Sequence, residues 1–230
     1  MSSTSFDLLA TSVAPPTDTG RCGLVRASGT GTLNDPFRMV LLLRHADWGD
    51  RSTRETAVPQ TELILATLHD QLAQIADVSS SANQSGALVH AVEVASVQAV
   101  QLNAYFSGAV VVGVKSQLAA ASIGNVQAWR NINDEVVPLL TPTLFEVAGK
   151  STSFLTSAIG IGFAVEKVQR IGVQLAPGED VVFALACSQL SPATIASSRA
   201  RQANVKIRLE NLIQALPERP PLAAILKLPG

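Results

Sequence analysis

Hydrophobic positions in this 230-residue chain switch between a helical and a strand period. From Thr61 to Ile75 the apolar residues Leu63, Ile64, Leu65, Leu68, Leu72 and Ile75 recur at helical spacing, with polar residues opposite them. Ser79 to Gly86 is built of serine, alanine, asparagine, glutamine and glycine and is expected to break the helix. A second helix is predicted over 87–105, with Leu88, Ala91, Val92, Ala95, Ala99 and Leu102 on its buried face. Beyond Gly108 the period shortens, predicting strands over 109–114, 117–123, 126–130 and 136–140. Gly124-Asn125 reads as a tight hairpin turn, since both residue types tolerate positive φ. A second hairpin is predicted from 171–175 and 180–186, joined through Ala176-Pro177-Gly178-Glu179. Phe37 to Leu43 is a β-rich apolar run suited to a central strand. A short helix near Pro192, a helix over 200–216 and a strand over 222–228 close the chain. Gly23 to Gly31 is glycine-dense, but no Lys-Ser/Thr and no helical pattern follow, so a turn between strands is expected rather than a phosphate loop. Residues 1–19 read as a loosely held arm with room for a short first strand, and 20–230 as a single domain.

Composition sets what these elements can build. With 47% hydrophobic and 15% charged residues the chain can bury a large core, and the two long helices must pack on a sheet to be stable. Seventeen basic and eighteen acidic residues give a net charge of −1 without long runs, which argues against a nucleic-acid surface. The uncharged stretch 94–114 has the length of a membrane span, but it contains Gln98, Gln101 and Asn103 and changes period midway. It is read as a helix entering a buried strand, with no membrane partner expected. Cys22 and Cys187 form no CxxC pair and no basic signal segment opens the chain, so reduced thiols and a cytoplasmic location are expected.

Several short segments fall in a shared order. Gly23 and Arg26 are followed by Gly29 and Gly31; an apolar strand delivers Ala46-Asp47-Trp48-Gly49; Gly108-Ala109-Val110 precedes Gly124-Asn125-Val126-Gln127-Ala128-Trp129. Phe154 to Gly160, then Pro177-Gly178-Glu179-Asp180, lead to Cys187-Ser188-Gln189-Leu190, and Arg219-Pro220-Pro221-Leu222 opens the last strand. In this order and spacing, residues 20 to 228 resemble the metal-dependent, PPM-type (type 2C) protein serine/threonine phosphatases. The resemblance implies an α+β fold: an α-β-β-α four-layer sandwich of two antiparallel sheets flanked by helix pairs. It also implies a site for two Mg²⁺ or Mn²⁺ ions held by aspartates, with a bridging water attacking the phosphoryl group.

Against that pattern the carboxylates are depleted. The resemblance keeps Asp47 and puts Gly31, Ser188 and Arg219 where the family has acids, so a two-metal site is expected to be lost and no catalytic residue is assigned. Asp47 and Asp50, with His45 nearby, are the candidates for a vestigial one-metal site; strand-end capping is the plainer reading of the same residues. Arg26, Trp48 and Trp129 are the candidate binding residues, the tryptophans either filling the former metal cleft or serving as anchors for a partner. Cys187 is read as a core thiol, and His69 and His90 as surface or packing residues. Arg199, Arg201, Lys206 and Arg208 are read as a solvated cationic face. The expectation is therefore a catalytically degenerate phosphatase-fold protein (a pseudophosphatase) that binds a protein partner, such as a kinase or phosphoprotein, in the regulation of a phosphorylation pathway, with no cofactor. The alternative is a weak Mn/Mg-dependent protein serine/threonine phosphatase using a residual metal site and recruiting Asp35, Asp50, Asp134 or Asp180.

Overall fold

The computed structural model describes residues 7–11, 23–32, 35–45, 54–73, 81–133, 135–141, 144–147, 150–153, 157–160, 163–185, 190–199, 205–216 and 222–228. Among them one antiparallel sheet takes β1 (Asp7–Thr11), β6 (Val126–Ile132), β7 (Glu135–Leu140), β12 (Asp180–Leu185) and β13 (Leu222–Lys227), in the order β1-β13-β12-β6-β7. The other takes β2 (Gly23–Thr32), β3 (Asp35–His45), β4 (Tyr105–Val114), β5 (Gln117–Ile123) and β11 (Gln169–Gln174), in the order β11-β5-β4-β3-β2, with β10 (Ile159–Gly160) also paired to β4. A separate hairpin joins β8 (Leu144–Val147) to β9 (Lys150–Ser153).

Alternation along each strand sorts the side chains into layers. Val40, Leu42, Ala109, Val111, Leu118 and Ala120 of the β3 sheet meet Val126, Ala128, Val181, Phe183, Leu185 and Ala224 of the β12 sheet, forming the central core. On the outer face of the β3 sheet, Met39, Leu41, Leu43 and Phe106 pack under α1 (Arg54–Ala73) and α2 (Ser81–Gln101). On the outer face of the β12 sheet, Trp129, Val182, Ala184 and Ile225 pack with Ile195 of α3 (Pro192–Arg199) and Leu209 and Leu212 of α4 (Val205–Ala215). Two antiparallel sheets between two helix pairs make the expected four-layer α-β-β-α sandwich.

Several local expectations change. Gly124-Asn125 and Ala176–Glu179 are turns, with Gly124 at φ 84° and Gly178 at φ 87°, but neither closes a hairpin. Each carries the chain from the β3 sheet to the β12 sheet: β5 pairs with β4 and β11, whereas β6 and β12 pair with each other. Gly23 to Gly31 is not a turn but part of β2, paired along its length with β3. Helix α2 begins at Ser81, and Gly86 lies inside it where an added Cβ would meet nothing within 4 Å. The tertiary docking of α1 on α2 overrides the weak helix propensity of that segment.

Candidate functional site

The topology gathers one end of the sandwich. The last residue of β3, the start of β4, the end of β5, the start of β6, the end of β12 and the start of β13 all lie there, as the registers Arg44↔Ser107, Gly108↔Ile123, Leu185↔Val126 and Leu185↔Leu222 require. Gly124-Asn125, between β5 and β6, lies at the same end. Asp47, Trp48 and Asp50 themselves lie outside the described residues, as do Ser188 and Arg219.

Other motif residues are not brought here. Gly31 pairs with Pro36, at the turn end of the β2–β3 hairpin, while Gly23 pairs with Arg44. Gly31 therefore stands about 27 Å along β2 from Gly23, whose partner Arg44 lies near the end of β3. Arg26 pairs with Leu41 in mid-strand. Asp35 opens β3 and Asp180 opens β12, both at the opposite end of the sandwich, Asp180 roughly 17 Å along its strand from Leu185. Neither stands at the end of the sandwich where β3 ends. Asp134 is outside the described residues.

Asp180 is instead committed to a buried ion pair. Arg208 Nη1 donates to its Oδ2 at 2.7 Å and Nη2 to its Oδ1 at 3.1 Å, and the Asn131 amide also donates to Oδ1. Arg208 is 4% exposed, so it is not part of a solvated cationic face, although Lys206 is exposed. His45 turns away from the central cleft: it is buried on the helix side, where Nε2 donates to Gln60 Oε1 at 3.1 Å and the ring lies edge-on to Phe106. That placement takes it out of any ligand set with groups in the cleft. Trp129 is 2% exposed within the core beneath α3 and α4, so its indole neither fills the space between the sheets nor reaches solvent. His69 and His90 lie on the helices, beside Asp70 and Glu93 respectively.

What the central cleft does hold at this end is a cation. Arg44 shares strand parity with Val40 and Leu42, which face the opposing sheet, and its Nη2 donates to the Leu185 carbonyl at 3.1 Å. Arg44 is 7% exposed. Ser107 and Ser122 are the buried hydroxyls on the same face, and Ser122 Oγ has no hydrogen-bond partner. On the other face of β6, buried Gln127 accepts the Leu190 N–H at 3.1 Å through Oε1. Leu185 and Leu190 are thus each bonded through their backbone by a side chain, Leu185 by Arg44 and Leu190 by Gln127. Sequence reasoning did not give Arg44 or Gln127 these roles. The signal for Arg44 was a charge ending an apolar strand at a position whose parity matches the central core.

The sequence matches no family profile and no curated protein. Solved structures do match. A serine/threonine phosphatase of S. agalactiae superposes with a TM-score of 0.73 at 14% identity, over 97% of this chain and 99% of that one. This chain has the PPM phosphatase fold. The PPM Ser-Thr phosphatase MsPP of Mycobacterium smegmatis, solved with cacodylate, matches with a TM-score of 0.63 at 12% identity over the whole of both chains. The PstP catalytic domain, solved with two manganese ions, matches with a TM-score of 0.60 at 12% identity over 90% of this chain and 96% of its own.

A manganese or magnesium pair can be tested against the donors present. Hard divalent ions take anionic oxygen ligands, and a pair brings about four positive charges to be offset. The described cleft groups are a guanidinium, two hydroxyls and a backbone carbonyl. These described groups carry no anionic side-chain oxygen and do not by themselves fit such a pair; Asp47, Asp50 and Glu218 lie outside the described residues.

Proposed function

We propose that this protein is a catalytically degenerate PPM-fold protein that acts in the cytoplasm by binding a protein partner, a kinase or a phosphoprotein, in the regulation of a phosphorylation pathway. The reading is supported by the buried Arg44 guanidinium in the central cleft, in a fold used by metal-dependent phosphatases, together with Ser188 and Arg219 in the sequence where the resemblance expects acids. A fold does not dictate its chemistry, so loss of the metal donors leaves a preserved scaffold and a surface available for recognition.

The test is turnover of a serine/threonine phosphopeptide by the full chain in Mn²⁺ and in Mg²⁺. The expected result is hydrolysis indistinguishable from the metal-only control. Metal-stimulated turnover that disappears in Asp47→Ala would establish the weakly active phosphatase instead. In parallel, Trp48→Ala is expected to weaken capture of the partner while leaving the far-UV circular dichroism unchanged.

A further inference from the structure

We propose that the exposed face of α2 is the contact surface of a two-fold dimer. A second copy of this chain lies antiparallel along it, so that Val97 of each copy packs on Gly86 of the other and His90 of each meets Glu93 of the other. The proposal goes beyond the functional reading above and does not depend on whether the protein turns over a substrate.

Helix α2 buries Leu88, Ala91, Val92, Ala95 and Ala99 in the core it shares with α1 and the β3 sheet, and leaves Gly86, His90, Glu93, Val97 and Val100 exposed. The exposed residues are spaced four, three, four and three apart, which sets them on one stripe about 21 Å long. That repeat is the one a helix uses to meet a second helix along a seam. Val97 and Val100 are 60% and 51% exposed, the most exposed large hydrophobic side chains among the described residues. A groove of about 530 Å³ opens beside them, lined by Phe163 and Val165, so the apolar end of the stripe is broader than the two valines alone.

Gly86 is the second mark of a contact. A glycine inside a helix costs about 1 kcal/mol relative to alanine. A Cβ at Gly86 would meet nothing within 4 Å, so packing within the chain does not call for its absence. Close approach by another helix does, because bare backbone leaves a hollow that a facing valine fills.

The order of residues along the stripe selects a second copy as the occupant. When one helix is turned end for end about a point between His90 and Glu93, position 86 falls opposite 97 and position 90 opposite 93. Each contact then occurs twice, as an isologous interface requires. Within one copy His90 Nδ1 and Glu93 Oε2 stand 3.7 Å apart, with both side chains more than half exposed. Pairing gathers two imidazoles and two carboxylates about the axis, with N–H donors facing acceptors. Parallel helices would instead oppose Glu93 to Glu93 and leave a gap between two Gly86 residues.

Sedimentation equilibrium of the full chain at neutral pH tests the proposal. The expected result is a reversible monomer–dimer equilibrium with a Kd of roughly 10–100 µM, because a single helix pair with its flanks lies at the small end of specific interfaces. Val97→Lys and Gly86→Gln are each expected to raise the Kd about tenfold or more, the first by setting a charge in the seam and the second by filling the hollow. Glu93→Lys and His90→Glu should each weaken the dimer by a similar factor, and the double variant His90→Glu/Glu93→Lys should return to within about threefold of the wild type. That recovery arises only where 90 of one copy faces 93 of the other. All four positions are exposed, so the variants are expected to keep the far-UV circular dichroism of the wild type. A chain that stays monomeric throughout would overturn the proposal, and so would a dimer untouched by Val97→Lys and Gly86→Gln. A double variant no tighter than the single ones would overturn the antiparallel pairing.

Discussion

At the scale of single residues, the buried Asp180–Arg208 pair and the half-buried Arg130–Glu179 pair make opposite kinds of prediction. Asp180 and Arg208 are 2% and 4% exposed and joined by two hydrogen bonds, so removing one partner strands the other in a low-polarity interior. Arg208→Met is expected to cost about 3–5 kcal/mol, read from urea unfolding, and Asp180→Asn in the same chain should recover part of it by removing the orphaned charge. Glu179 is more accessible and answers to pH. Burial pushes its carboxyl up, but the Arg130 hydrogen bond, the Ala176 N–H and the Arg130 charge outweigh burial and hold it below the ordinary 4.5. A carboxyl with a lowered folded value binds fewer protons in the folded state, so its contribution is complete above 4.5 and is lost as pH falls through the folded value. Glu179→Gln should therefore flatten the acid side of the stability profile, seen as a smaller drop in urea midpoint below pH 4.5 than in the wild type. Sequence could show Asp180 and Arg208 as charges but not as partners, because 28 residues separate them and only the packing of α4 over the sheet brings them together.

At the scale of elements, turn chemistry was legible and the destination of the turn was not. Positive-φ glycines at 124 and 178 mark sharp reversals, as their residue types demand. A reversal can fold a strand onto its neighbour or send it across to a facing sheet, and both need the same local φ. The choice belongs to long-range pairing, here Val126 with Leu185 and Gln117 with Gln174, which no local window contains. The junction of α2 with β10 shows the same dependence on distant contacts. Ser96 Oγ accepts the Gly160 N–H at 2.8 Å, and Gly160 sits at φ 109° with the Ala104 carbonyl oxygen 2.2 Å from where a Cβ would stand. Gly160→Ala would meet both backbone strain and a clash with main chain, and is expected to destabilise by about 2 kcal/mol or more, with thermal unfolding as the measurement. Ser96→Ala removes the bracket while leaving space intact and should cost roughly 1 kcal/mol.

At the scale of the molecule, two of the segments singled out in sequence order, Gly108-Ala109 and Gly124-Asn125, lie at one end of the sandwich among the described residues, and Gly31 does not. Order along the chain gave the convergence because consecutive strand ends share loops. It misplaced Gly31 because a glycine-rich strand offers no side-chain pattern to set its register. The site end is therefore a product of both sheets, and its integrity depends on their shared core. Phe183, 0% exposed between them, is the side chain whose loss should reveal that dependence most directly. Phe183→Ala is expected to cost about 3–5 kcal/mol through lost burial and a cavity that the surrounding strands cannot close. If the sheets unfold as one body, fluorescence of Trp129, which sits in the outer layer of the β12 sheet, should lose its native signal in a Trp48→Phe background at the same urea concentration as far-UV circular dichroism. The Phe183→Ala variant should move both midpoints together. Separation of the two curves would mean that the β12 sheet with α3 and α4 melts independently of the β3 sheet.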